Sequence, residues 1–365
     1  MLHYLLAERL QEYFSPLRMF QAITFRAIYA TVLAFLTSVL LGPWMIRKLQ
    51  ELRFGQQVRR EGLESHLAKE GTPTMGGLLI VAAWIVNTLL WARLDNPLVW
   101  SAVFATLWFG IIGFLDDWTK IKQKRSLGLT VRQKIALQVV GAAGIGYYLS
   151  TYAGGETLAA TALVFPFFKD IHPVLPVWAY VAFVVVVIVG SANAVNLSDG
   201  QDGLAITCVS FVGGTLAVLA YVTSHAVAAR YLGIPHMPQT GELTVFCTAL
   251  VGAGLGFLWW NAYPAEVFMG DTGSMALGGA MGAVAVAVKQ ELLLPILGGI
   301  FVAEALSVML QVWHYRRTGG KRLFRMAPLH HHFEKGGIPE PKVTVRFWIV
   351  AAILMLVAIS TLKVR

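Results

Sequence analysis

LVWSAVFATLWFGIIGFLDDWTKIKQK, residues 98–124, runs eighteen residues without a charge, then places two aspartates together and follows them with three lysines. An uncharged apolar run of this length crosses the hydrocarbon of a bilayer as a helix, which needs about 20 residues. Its charged end marks the water boundary. Nine further stretches read the same way, at 23–46, 74–93, 132–151, 176–195, 203–223, 242–260, 275–289, 292–313 and 344–362. The whole chain of 365 residues is 56% hydrophobic and only 13% charged, with a mean hydropathy of +0.63, outside the range of ordinary soluble domains.

The expected fold is therefore an all-α integral membrane protein of about ten transmembrane helices. No polar segment is long enough to fold alone, so residues 1–365 read as a single polytopic domain. Residues 1–20, with Glu8, Arg9, Glu12 and Arg18 among apolar neighbours, read as a short interfacial segment rather than a cleaved leader. Pro295, Gly298 and Gly299 interrupt the ninth stretch, which is expected to be bent or broken.

Charge placement supplies the orientation. Of 29 Lys and Arg, 19 fall in three connections: six in 47–73, six in 117–134 and seven in 314–343. The positive-inside rule makes these cytoplasmic, with 117–131, 196–202 and 261–273 as the connecting loops on that face and both termini periplasmic. A net charge of +9 gathered into such loops, without a stripe interleaved with aromatics, is a topology signal and not a nucleic-acid surface. Cys208 and Cys247 sit inside apolar runs, with no metal-ligand spacing and no disulfide framework.

Five polar constellations fall on the cytoplasmic face so defined. Asp116 and Asp117 close the third apolar run; successive helical side chains diverge by about 100°, so one suits a metal and the other a substrate, unless both are simply solvated interfacial acids. SANAVNLSDGQDGL, 191–204, spaces Asn193, Asn196, Asp199 and Asp202 by three. On a continuing helix that makes a polar stripe suited to sugar, ribose or phosphate, with Gly200 permitting close approach; a turn satisfied by its own Asn and Asp is the alternative. NAYPAEVFMGDTGS, 261–274, offers Asn261, Phe268 and Asp271, the last either a helix N-cap or a hard oxygen ligand for Mg²⁺. RMAPLHHHFE, 325–334, holds His330, His331 and His332, whose side chains diverge too far for a ready zinc site but can hold phosphate oxygens. KEGTPTMGG, 69–77, places Lys69 and Thr74 at the start of the second run, and Lys134 begins the fourth. Glu304 and Gln311, in the ninth run, read as interhelical hydrogen-bonding groups.

Taken together, FGQ (54–56), GTPTMGG (71–77), FLDDW (114–118), NAVNLSDGQDGL (193–204), NAYPAEVFMGDTGS (261–274) and RMAPLHHHFE (325–334) closely resemble the bacterial phospho-N-acetylmuramoyl-pentapeptide transferase family. That family lies within the polyprenyl-phosphate N-acetylhexosamine-1-phosphate transferase superfamily, and the resemblance covers nearly the whole chain. It implies Mg²⁺-dependent transfer of phospho-MurNAc-pentapeptide from UDP-MurNAc-pentapeptide to undecaprenyl phosphate, giving lipid I and UMP, in the bacterial inner membrane. It further implies that Asp116, Asp117 and Asp271 are essential acids, with Asp271 the metal ligand. Gly200, Asp202, Asn261 and Phe268 are implied to meet uridine, Lys69 to lie near the nucleotide, and the three His to belong to a loop required for activity. Gln201 departs from the family's commoner Leu, and Ser198 from its commoner Thr. The competing expectations are a related GlcNAc-1-phosphate transferase and, from another class, a cation or proton transporter. Expected partners are the two substrates and membrane lipid, with a second copy of the chain as a further candidate.

Overall fold

The computed structural model describes residues 1–52, 71–123, 128–168 and 171–363. After short helical turns at Tyr4–Arg9, Leu10–Glu12 and Ser15–Gln21 come thirteen helices. These are α1 (Ile23–Glu51), α2 (Gly77–Trp91), α3 (Pro97–Gln123), α4 (Val131–Tyr152), α5 (Val177–Ser198), α6 (Leu204–Ser224), α7 (Ala226–Leu232), α8 (Gly241–Asn261), α9 (Gly270–Ala287), α10 (Leu294–Leu297), α11 (Gly299–Arg317), α12 (Leu329–Glu334) and α13 (Glu340–Ser360). Each of the ten expected stretches carries helix. Among the described residues, six helices are long and apolar enough to cross a membrane: α1, α3, α5, α6, α8 taken with its leading turn from Pro238, and α13. The protein is thus a multi-pass membrane protein.

Three helices extend further than their apolar runs, because a helix that keeps its hydrogen bonds need not stop where hydropathy does. α1 reaches Glu51, α3 reaches Gln123 and α5 reaches Ser198, so the connections expected at 47–73, 117–131 and 196–202 are shorter than drawn. The expected 314–343 connection begins after Arg317, contains α12 and ends at Glu340; the 261–273 connection narrows to the residues between Asn261 and Gly270. The ninth stretch is broken as expected. α10 ends at Gly298, whose backbone (φ −91°, ψ 26°) leaves the helical region before α11 starts.

Packing centres on α9. Its sequence, GDTGSMALGGAMGAVAVA, is nearly all Gly, Ala and other small residues, and every residue from Thr272 to Ala287 is buried. Side chains this small let α3 and α5 pack along it, with α2, α4 and α6 also touching. The approach is closest where Gly113 of α3 meets the start of α9; a Cβ at 113 would overlap the Asp271 carbonyl.

A second small-residue seam joins α1 to α8, with Ala27, Ala30, Ala34, Ser38 and Gly42 buried along one face of α1. Ser38 Oγ donates to the Ala253 carbonyl across it at 3.2 Å. Farther along α1, Arg26 makes a two-pronged bond to Glu242 of α8, at 2.7 and 2.6 Å, and a third to the Trp91 carbonyl at 2.9 Å. These partners offset the cost of burying that ion pair.

Gly113→Val is expected to destabilise the protein by about 1–3 kcal/mol, the usual cost of overpacking, and to do so through α9. Thermal unfolding of the purified protein in detergent, compared with Gly144→Ala at an open glycine with nothing near its missing Cβ, checks this.

Candidate active site

At the end of α3, Asp116 and Asp117 are only 3% and 4% exposed, and they meet Asp271 from the first turn of α9. One oxygen from each lies within 4.8 Å of the others. The sequence argument that adjacent helical carboxylates point apart holds for their other contacts. Asp117 turns to the start of α9, accepting from the Thr272 backbone N–H at 2.9 Å, the Thr272 hydroxyl at 2.8 Å and the Asp271 N–H at 3.3 Å. Asp116 turns to the loop before α4, accepting from Leu129 N–H at 2.9 Å. The N-cap role considered for Asp271 is thus filled by Asp117, a residue of another helix, which satisfies the unpaired N–H groups and faces the positive end of the dipole.

Two ammonium groups balance the acids. Lys120 Nζ stands 2.6 Å from Asp116, 3.0 Å from Asp271 and 3.7 Å from Asp117. Lys134 Nζ stands 2.7 Å from Asp271 and 3.9 Å from Asp116. Lys134 is held by a capping box, in which Thr130 and Gln133 satisfy each other's backbone N–H at the start of α4. Lys120 is a site residue that the sequence reading left among topology signals; its spacing of four and three from the two aspartates, which puts all three on one helical face, was the available clue.

Two asparagines of α5 take different partners, and only one of them reaches the carboxylates. Asn196 donates to Asp271 at 2.9 Å and to Ser274 at 2.9 Å. Asn193, one turn back, is occupied by Gln138 of α4 at 2.8 Å and the Val189 carbonyl at 2.8 Å. The expected polar stripe is not continuous, because α5 ends at Ser198 and Asp199 and Asp202 fall in a turn. Asp199's pKa is pushed up to about 8, first by loss of water and then by the negative charges of Asp271 and Asp117, with a hydrogen bond from Gly270 N–H opposing the shift. Asp202 accepts from Ala265 N–H at 3.0 Å, and its own N–H donates to Glu340 of α13 at 3.0 Å.

Asn261 ties the same turn to α8, accepting from Gly203 N–H at 3.1 Å and donating to the Val267 carbonyl at 2.8 Å. Gly203, at φ +72°, starts α6 in the left-handed region that glycine tolerates. Phe268 is half-buried and paired through its backbone with the 71–77 segment, its N–H on the Pro73 carbonyl and its carbonyl on Gly76 N–H, both at 2.8 Å. This pairing sets the Thr74 hydroxyl beside Gly270. Lys69 lies outside the described residues.

The three histidines do separate jobs, and among the described residues they form no metal cluster. His331 bonds Glu334 at 2.8 Å, and His332 Nδ1 accepts from Arg325 N–H at 3.1 Å. His330 is fully buried against Gly200, where any Cβ would strike its Nε2. Gln201, the departure from the family pattern, accepts from the Thr344 hydroxyl of α13 at 3.2 Å. The Asp199–Gly203 turn is thereby enclosed by α8, α12 and α13, with the carboxylate cluster beside it.

Three carboxylates thus converge among helix ends beside a glycine-bearing polar turn, an arrangement that could hold a metal ion, and the sequence family gives the class as a glycosyl transferase. Residues 99–289 match the family described as Glycosyl transferase family 4, and 69–81 match Phospho-N-acetylmuramoyl-pentapeptide-transferase signature 1. Curated proteins of that second name are 54% identical in Desulfatibacillum aliphaticivorans, over all of both chains, and 54% in Pelobacter propionicus, over 95% of each. One from Geobacter sp. (strain M21) is 52% identical over all of both chains. The chain belongs to the phospho-N-acetylmuramoyl-pentapeptide-transferase family.

Two outcomes test this geometry. Asp271→Asn should abolish divalent-ion binding measured by calorimetry, whereas Asn193→Ala, distant from the carboxylate oxygens in its bonding, should leave it within a few-fold. The second concerns the Glu334 carboxyl, which burial would raise but the hydrogen bond from His331 holds below the usual range. A lowered carboxylate pKa gives stability that is present above the unfolded value of about 4.3 and is lost as pH falls through the folded one. His331→Gln should therefore lose less of its melting temperature between pH 6 and pH 3.5 than the native protein.

Proposed function

We propose that the protein transfers phospho-MurNAc-pentapeptide from UDP-MurNAc-pentapeptide to undecaprenyl phosphate, releasing UMP and forming lipid I, as a Mg²⁺-dependent enzyme of the bacterial inner membrane. Ten transmembrane passes, periplasmic termini and a site open to the cytoplasm complete the reading, supported by the Lys and Arg distribution. The observation that carries it is the Asp116, Asp117 and Asp271 cluster at the charged end of α3, where a water-soluble nucleotide donor and a lipid phosphate can meet. The curated relatives favour this donor over a GlcNAc conjugate. Acids gathered at helix ends, with Glu304 an exception, speak against an ion path across the membrane.

Hard oxygen donors at this spacing suit Mg²⁺; Asp271 would hold it, with Asp116 beside it. When bound, the ion supplies charge neutralisation for the pyrophosphate. Asp117, already taken up by α9, would position Asp271 rather than exchange protons. That leaves Asp116 to orient the lipid phosphate or accept its proton. An oxygen of that phosphate then bonds to the sugar-linked phosphorus as the bond from that phosphorus to the UMP oxygen breaks. Lys120 and Lys134 lie where they can follow the negative charge from carboxylate to phosphate oxygens, and positioning with electrostatics is what phosphoryl transfer demands. Asn196 holds Asp271 in orientation, and the Asp199–Gly203 turn with Asn261, Phe268, Thr74 and Lys69 would receive the nucleotide.

Purified protein should release UMP from UDP-MurNAc-pentapeptide only with undecaprenyl phosphate and Mg²⁺ present, and much more slowly from UDP-GlcNAc. Asp116→Asn and Asp271→Asn should each lower turnover by on the order of 10²-fold or more. Exchange of labelled UMP into the donor without the lipid would instead reveal a covalent phospho-sugar enzyme. Turnover unaffected by removal of Mg²⁺ would contradict the metal assignment.

A further inference from the structure

Glu304 is a carboxylate in the middle of α11 with no exposed surface. Buried charges are costly unless partnered, and both of its oxygens face a single residue. Oε1 accepts the backbone N–H of His330 at 3.2 Å, and Oε2 lies 3.2 Å from His330 Nδ1. His330 is itself fully buried; its Nδ1 meets Glu304 Oε2 as a charge contact without hydrogen-bond alignment, and its Nε2 has no hydrogen-bond partner among the described residues. That nitrogen rests against Gly200, in the turn between Asp199 and Asp202. Two helical turns further along α11, Gln311 fixes the same connection, accepting from Leu323 and Phe324 N–H at 3.0 and 2.8 Å and donating to the Phe324 carbonyl at 3.3 Å. Glu304 and Gln311 are thus both spent on the connection that carries the histidines.

We propose that Glu304 is a positioning residue for the transfer reaction, holding the His330 ring with Nδ1 protonated so that Nε2 is presented to substrate at the Asp199–Gly203 turn. The inference rests on the function proposed above. A carboxylate on one imidazole nitrogen fixes both the tautomer and the ring's orientation, leaving the other nitrogen for chemistry or binding. Gly200 has a matching reason for being glycine: it leaves room for the ring, and a side chain there would push Nε2 away. Because the same carboxylate also holds the His330 backbone, ring and main chain cannot shift independently.

The test is a double-mutant cycle in full-length protein, read by UMP release and by the His330 ring resonances in ¹⁵N-histidine spectra, assigned by their loss in His330→Ala. Glu304→Leu should lower kcat/KM roughly 10- to 100-fold, the usual cost of losing a histidine's orienting partner. It should add nothing in the His330→Ala background, and Glu304→Gln, which keeps an acceptor, should recover most of the activity. Spectra of the native protein should show Nδ1 protonated, and Glu304→Leu should alter that. An equal loss of activity from Glu304→Leu with and without His330 overturns the proposal, since a purely structural residue behaves that way. Should the native protein fail to use this donor at all, the functional reading falls, and the spectra still decide: an unprotonated Nδ1 beside an intact Glu304 overturns the positioning role, and a protonated one that changes in Glu304→Leu but not in Glu304→Gln upholds it.

Discussion

The arrangement depends on Asp117 meeting the first turn of α9. A helix of small residues enclosed on all sides has few ways to register itself along its own axis, since its Gly and Ala surface offers little to interlock. The N-terminal N–H groups provide that register: they require an acceptor, and Asp117 supplies one from α3, while Gly113 one turn earlier lets the two backbones approach closely enough. The carboxylate of Asp271 sits next to this junction and inherits its position from it. An aspartate that looks in sequence like half of a catalytic pair is thus, first of all, the group that fixes where the other acids stand.

Around that junction the site is assembled from helix ends rather than from one long loop. α3 gives Asp116 and Lys120, α4 gives Lys134, α5 gives Asn196, α8 gives Asn261 and α9 gives Asp271. Each residue lies in the last or first turns of a helix packed against its neighbours, so its backbone is fixed by that packing while its side chain reaches the polar layer. Rigid helical placement of converging charges is what electrostatic preorganisation requires. The Asp199–Gly203 turn completes it, clasped by Glu340 and Thr344 of α13 and by Ala265 and Asn261.

Much of this was legible in the residues. Apolar run lengths located the helices, Gly298 marked the break, and the aspartates at 116, 117 and 271 identified themselves by sitting where a membrane helix meets charge. What the sequence hid has a common cause: side chains recruited across helices leave no local pattern. Gln138 answering Asn193, Glu304 answering His330 and Asp117 capping α9 are all pairings over long separations, invisible to periodicity. The ends of α1, α3 and α5 were drawn too short because hydropathy falls before hydrogen bonding does. The polar stripe expected through Asp202 failed for the opposite reason, since glycine-rich sequence allowed the helix to end at Ser198 and the turn to begin.

Lys120 and Lys134 give the acidic cluster a resident counter-charge. A cage of bare carboxylates would capture almost any cation and hold it; here an incoming ion must first dislodge a tethered amine, so weakly bound monovalent ions gain no foothold. Each amine is anchored to its own helix and cannot diffuse away once displaced. Leaving one anionic partner, it stays within reach of the next, so the pair is a local reservoir of positive charge rather than a fixed lock.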